Sequence, residues 1–184
     1  MKNILSGCSI CMLTIVLSAT CLSAQNIPDF LVNEQTGING SEQSDPSSGG
    51  DGEGHYVLTW KDKRNGDNFD IFACIYNEDG TALIESFRVN DDSIGAAQYN
   101  PSIGVNKNLR FVITWTDRRD NWRWDIYAQI YSTDGTPIGE NFRVNDDPGD
   151  EEQEHRAVTL DSIGNFTVIW ADERSGNWDI YAQR

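Results

Sequence analysis

The chain of 184 residues carries 29 acidic against 14 basic side chains, a formal net charge of −15 at pH 7. That surface repels nucleic-acid phosphates and anionic lipid, and no basic stripe offsets it, so neither is expected as a partner. Of the four cysteines only Cys74 lies beyond residue 24, which excludes an internal disulfide framework in the remainder.

In chain order, the first element is a targeting segment. Met1-Lys2-Asn3 gives a short positive start, Ile10 to Leu17 is uninterrupted apolar, and Leu22-Ser23-Ala24 supplies small residues before Gln25. This is the layout of a secretory signal peptide over 1–24, cleaved after Ala24, and it implies export to the periplasm, the cell surface or the medium. The apolar run is shorter than the roughly 20 residues of a membrane span, so no span is expected. Loss of the one Lys in this segment takes the net charge to −16.

Residues 25–184 then repeat. Trp60, Trp115 and Trp170 are spaced by 55, as are Asp62, Asp117 and Asp172, and Arg64, Arg119 and Arg174. Gln43, Gln98 and Gln153 keep the same step. Asp70-Ile71-Phe72-Ala73 corresponds to Asp125-Ile126-Tyr127-Ala128 and Asp179-Ile180-Tyr181-Ala182. Each copy opens with a related tetrapeptide, Phe30-Leu31-Val32-Asn33, Phe87-Arg88-Val89-Asn90 and Phe142-Arg143-Val144-Asn145, so the repeats are set at about 29–85, 86–140 and 141–184.

The middle copy predicts four short strands: Phe87 to Asn90, Ser102 to Val105, Arg110 to Thr116 and Asp125 to Tyr131. Turn-rich segments such as Asp91 to Gly95 and Thr133 to Pro137 separate them, and no apolar period of 3.6 residues is sustained. The first copy looks weak in its second strand, where Ser47 to Gly54 is mostly Ser and Gly. Four strands per unit predict an all-β fold of three four-stranded propeller-like blades, a partial propeller or one completed by a second copy in a homo-oligomer.

The pattern Trp-x-Asp-x-Arg, a polar loop, then aromatic-Asp-Ile-Tyr, as in Trp115 to Gly135 and Trp170 to Gln183, resembles the WD40-like propeller repeats of TolB-type proteins. The longer unit resembles tandem repeats of large secreted bacterial proteins. The resemblance implies a propeller and an exported bacterial protein, and no activity.

A residue present in every repeat is expected to build the repeat, so Trp60, Asp62, Arg64, Trp115, Asp117, Arg119, Trp170, Asp172 and Arg174 are read as scaffold, with the Arg pairing its Asp. The loop Asn121-Trp122-Arg123-Trp124 is the most aromatic and least repeat-like, and is the first choice for a ligand pocket. The acid-rich loops suit a structural calcium, and no other cofactor is expected. Asp91-Asp92, Asp146-Asp147 with Asp150, Glu151, Glu152 and Glu154, and Asp62 to Asp70 with Asn65, Asp67 and Asn68 supply carboxylates without an EF-hand spacing. His55 and His155 share no metal-ligand spacing, and no nucleophile or phosphate-loop motif occurs. The expectation is therefore no enzyme but a non-catalytic binding module for an extracellular glycan or protein, with a structural repeat segment of a larger bacterial surface protein as the alternative.

Overall fold

The computed structural model describes residues 29–33, 41–93, 95–120, 123–147, 149 and 151–184. Contacts divide the chain into Met1–Val32, of which the described residues 29–32 form no helix or strand, and Asn33–Arg184. Among the described residues of the second unit there are strands and no helix. They are β1 (Gln43–Gly50), β2 (His55–Asp62), β3 (Asp70–Asn77), β4 (Ala82–Arg88), β5 (Gln98–Val105), β6 (Phe111–Asp117), β7 (Asp125–Tyr131), β8 (Pro137–Arg143), β9 (Gln153–Leu160), β10 (Phe166–Asp172) and β11 (Asp179–Gln183).

They form three antiparallel sheets in simple meander order, β1-β2-β3-β4, β5-β6-β7-β8 and β9-β10-β11. The fold is all-β, and its sheets are arranged as propeller blades. The first strands β1, β5 and β9 lie side by side, so they are the inner strands of blades 1, 2 and 3. The last sheet has three strands rather than four.

The blades are phased differently from the sequence repeat. Phe87 and Arg88 finish β4, and Phe142 and Arg143 finish β8, so the Phe-Arg-Val-Asn tetrapeptide closes one blade rather than opening the next. Its asparagine explains why the segment is kept. The Oδ1 of Asn90 accepts the Ile71 amide at 2.8 Å, while its Nδ2 donates to Asp70 at 2.8 Å and to Gln98 of the next blade at 3.0 Å. Asn145 repeats these bonds with Ile126, Asp125 and Gln153 at 2.8, 2.8 and 3.1 Å. Each asparagine is thus a buried staple from the third strand of one blade to the inner strand of the next, and a buried amide needs such partners.

The cores sit between blades. The front of blade 1 (Val57, Ile71, Ala73, Ile75) packs on the back of blade 2 (Ile103, Phe111, Ile113, Trp115). The front of blade 2 (Val112, Ile126, Ala128) packs on the back of blade 3 (Val158, Phe166, Val168, Trp170). Full burial of one such side chain stabilises by about 1.5–3 kcal/mol, so sandwiching sheets supplies what no disulfide does.

The glycine-rich stretch of blade 1 is a paired strand. A Cβ on Gly49 would lie 2.7 Å from Cγ2 of Val105, and one on Gly104 would lie 2.7 Å from Cδ1 of Leu160. Inner strands approach closest to the axis, and glycine there makes room for the neighbouring blade. The weakness read from composition is in fact a packing requirement.

Candidate functional site

Two sets of side chains meet where the second strand of a blade ends. The first is the repeated clasp. Trp60, Trp115 and Trp170 donate from Nε1 to Asp62, Asp117 and Asp172 at 3.0, 2.8 and 2.9 Å. The same carboxylates accept from the backbone amides of Arg64, Arg119 and Arg174 at 2.8, 2.8 and 2.9 Å. They also accept from the three Nε atoms at 2.8, 3.0 and 3.0 Å. Each guanidinium carbon then lies over the next strand's aromatic ring, 4.2 Å from the centre of Phe72, 4.4 Å from that of Tyr127 and 4.2 Å from that of Tyr181.

All three aspartates are fully buried. Burial pushes the carboxyls of Asp62 and Asp172 up, but hydrogen bonds from Arg and Trp outweigh it and leave both below the ordinary value. Arg119 reaches on to Asp91 at 2.6 Å and Arg174 to Asp146 at 3.2 Å, so those acids of the interblade segments are ion-paired. In the Asp62 to Asp70 segment, Asn65 donates to Asp70 at 2.9 Å. Among the described residues no three His, Cys, Asp or Glu side chains gather to hold a metal ion, and Asp150 lies outside them.

The second set lies at the inner ends of the blades and breaks the repeat. A bulge interrupts the inner strands after Ser44 and after Tyr99, and Asp45 and Asn100 within it take φ of 55° and 50°. Aspartate and asparagine tolerate this left-handed region better than most residues. In register the three blades place Asp45, Asn100 and His155 at one position, Ser44, Tyr99 and Glu154 at the one before, and Pro46, Pro101 and Arg156 at the one after. Opposite them, on the second strands, stand Lys61, Thr116 and Ala171.

These unlike residues converge. Lys61 Nζ lies 2.9 Å from Asp45 Oδ2. Arg156 donates from Nη2 to the Tyr99 carbonyl at 3.1 Å, while its buried Nε has no hydrogen-bond partner. Burial pushes the Arg156 guanidinium down to about 9, and the charges of Asp45 and Glu154 oppose that fall, so it remains a cation at neutral pH. Beside this charged group runs an aromatic row. Phe69 meets Tyr99 edge-on at 5.2 Å, and Tyr99 meets Trp124 edge-on at 5.1 Å. Lys61 lies 4.6 Å from the centre of the Phe69 ring, and Arg118 4.6 Å from that of Trp124.

Of the loop singled out by composition, Asn121 and Trp122 lie outside the described residues. Trp124 is half-buried as the end of the aromatic row, and the Arg123 amide donates to the Asp120 carbonyl at 3.2 Å. Asp45, Lys61, Tyr99 and Arg156 carry no expectation from the sequence, and Glu154 enters there only among the acids offered to a structural calcium. The signal that finds them is departure from the repeat at a fixed register position, which a search for conserved matches passes over.

No known protein family matches the chain, and no curated protein matches it. Among solved structures, the endo-arabinase of Bacteroides thetaiotaomicron VPI-5482 superposes with a TM-score of 0.52 at 15% identity. The chain shares its fold with an endo-arabinase. The superposition covers 79% of this chain and 57% of that one, so the chain spans little more than half the length of the solved protein. The WD40-like, TolB-type assignment is not what the comparison returns. The expected non-catalytic binding module, with a structural repeat segment as its alternative, is likewise corrected, because a solved protein of this fold is an endo-arabinase. That expectation rested on the lack of a nucleophile, phosphate-loop or histidine-spacing motif in the sequence, and a pair of carboxylates brought together from separate blades leaves no such motif.

Proposed function

We propose that the chain belongs to a glycan-cleaving propeller enzyme, with arabinan the first substrate to try, and that its inner rim carries the chemistry. The WD40-like look of Trp-x-Asp-x-Arg supports the blade architecture in this reading and adds no activity. One observation carries it: the positions that break the repeat bring two carboxylates, a buried guanidinium and an aromatic row to one end of the inner strands.

Cleavage of a glycosidic bond takes two carboxyl groups, one giving a proton to the leaving oxygen, the other attacking the sugar or activating water. Asp45, with Lys61 at 2.9 Å, suits the anionic role. Glu154, on the inner strand of blade 3, is assigned the proton donor. Tyr99 and Trp124 offer apolar surface to a sugar face, and Arg156 supplies a buried positive charge that both carboxylates feel. Export through the N-terminal segment fits an enzyme that meets its polymer outside the cytoplasm.

The test is release of reducing ends from arabinan and a panel of other polysaccharides. Asp45→Asn and Glu154→Gln are each expected to lower turnover by about 10²–10⁴-fold with an unchanged circular dichroism spectrum. A folded protein that cleaves no polysaccharide, or variants that keep full turnover, would overturn the assignment.

A further inference from the structure

A cleft of about 610 Å³ opens between blades 1 and 2 beside their outer strands, and none of its lining residues belongs to the inner rim. Ile84 and Phe87 of β4 border one side, Pro137 and Glu140 of β8 the other. That volume suits a small ligand or a stretch of polymer rather than a flat protein contact. The floor is locked in advance. Asn141 donates from Nδ2 to Gln129 at 2.7 Å and to the Val89 carbonyl at 3.2 Å. Its Oδ1 accepts the Asp91 amide at 2.7 Å, and its own amide donates to the Asp91 carboxylate at 3.1 Å. Blade 1 has Ser86 and Cys74 where blade 2 has Asn141 and Gln129, so this lock is another departure from the repeat.

Two groups lining the cleft are left unspent. Tyr131 is 2% exposed, its ring packed against Phe111 at 4.7 Å and Phe87 at 5.5 Å, yet its hydroxyl has no hydrogen-bond partner among the described residues. Burial first, then the charge of Asp91, push this phenol up, so it stays a proton donor. Buried polar groups are normally paired, and one that is not calls for a partner from outside the chain. Glu140 is exposed on the facing strand and is likewise unbonded among the described residues. One group donates and the other accepts, while Ile84, Phe87 and Pro137 add apolar surface. A sugar ring, with hydroxyls at its edge and C–H groups on its face, answers all three. Asp91, Asp134 and Glu140 outnumber Arg88 around the cleft, so an acidic sugar is repelled.

We propose that this cleft holds a neutral oligosaccharide, a segment of the same polymer that the inner rim cleaves, at a site separate from that rim. Tyr131 donates to a sugar oxygen, Glu140 accepts from a sugar hydroxyl, and Phe87 meets the C–H face. The choice of a glycan rests on the cleaving activity proposed above, whereas the unspent donor and acceptor are features of the cleft itself.

Calorimetric titration tests it on the chain carrying Asp45→Asn, so that binding is read without turnover. The probes are arabino-oligosaccharides and other neutral oligosaccharides, with oligogalacturonate as the acidic control. A neutral oligosaccharide is expected to bind and oligogalacturonate is not. Adding Tyr131→Phe should weaken binding about fivefold, the loss of one neutral hydrogen bond, and Glu140→Ala about tenfold, the loss of a charged acceptor. The urea midpoint should not fall for Tyr131→Phe, because the hydroxyl it removes has no partner in the fold. Absence of binding overturns the proposal, as does equal binding of oligogalacturonate or a lower urea midpoint for Tyr131→Phe. A lysine-rich peptide that binds in a Glu140-dependent way where no sugar does overturns it too. A chain that cleaves arabinan but keeps its affinity in both variants sinks the cleft and leaves the inner rim standing. Binding that both variants weaken, in a chain that cleaves nothing, does the reverse.

Discussion

The clasp and the inner rim occupy the same end of each blade and use the same residue types, yet they differ in how the three blades compare. At the clasp, Trp, Asp and Arg recur with donor–acceptor distances that agree within 0.2 Å across the blades for the indole and Nε bonds. At the inner rim, Asp45, Asn100 and His155 share one position, and Lys61 and Arg156 have no counterpart of their kind in the other blades. The lesson is physical. A buried carboxylate that already accepts the indole N–H, the backbone amide and the guanidinium of its clasp has no capacity left for a ligand, whereas a half-buried one held by a single lysine does.

The largest expected effect breaks the clasp. Asp117→Ala leaves the Trp115 indole N–H and the Arg119 guanidinium without the acceptor they share at 2.8 Å and 3.0 Å. Removing one partner of a buried ion pair costs about 3–5 kcal/mol, because the other charge stays desolvated. Arg119 keeps Asp91 at 2.6 Å, which places the loss at the lower end of that range. Urea unfolding should show the midpoint fall with an unchanged slope. A loss below about 1 kcal/mol would mean that the clasp is ornamental.

How far sequence reading reaches follows the same division. The strands β6 and β7 and the clasps were legible because alternation, period and spacing express local geometry three times over. The phase of the blades was not. Phe87-Arg88-Val89-Asn90 opens the sequence repeat, but Asn90 bonds Gln98 in the next blade, a contact that no local pattern encodes. Gly49 misled for a related reason, since its role is room for Val105, 56 residues away. The inner rim was unreadable as a site because its members, from Asp45 to Arg156, come together only when three inner strands lie side by side.

An intermediate effect is read from acid. Asp62 and Asp172 have folded pKa values below their ordinary value near 3.8, so their stabilisation is complete above that value and is lost as pH falls through the lower folded values. Asp125 behaves oppositely. Burial first, then the charges of Asp120 and Asp117, raise its pKa despite Asn145 and Arg143, so its ionised form costs stability at neutral pH. The melting temperature should therefore drop steeply below about pH 4. Asp172→Asn should flatten that drop, while Asp125→Asn should leave it in place and raise the melting temperature at pH 7. A lower melting temperature for Asp125→Asn at pH 7 would show that its bond from Asn145 at 2.8 Å outweighs its burial.

The smallest stability effect is the one that separates the two regions. Asp45 is paired with Lys61 at 2.9 Å and its side chain is 36% exposed, so water screens the pair and compensates its loss. Asp45→Ala should cost no more than about 1 kcal/mol, the range of exposed ion pairs. Its bulge conformation, with φ of 55°, adds a small steric penalty for alanine. Asp45→Asn avoids that penalty, because Asn100 already occupies the equivalent bulge at φ of 50°. Comparing the two substitutions by urea unfolding isolates the backbone contribution from the charge. If both are near neutral for folding while Asp45→Asn abolishes polysaccharide cleavage, the aspartate is held at the inner rim for chemistry. If Asp45 instead proves as costly to remove as Asp117, it is a fourth clasp, and the distinction between the kept and the varied positions of this repeat fails.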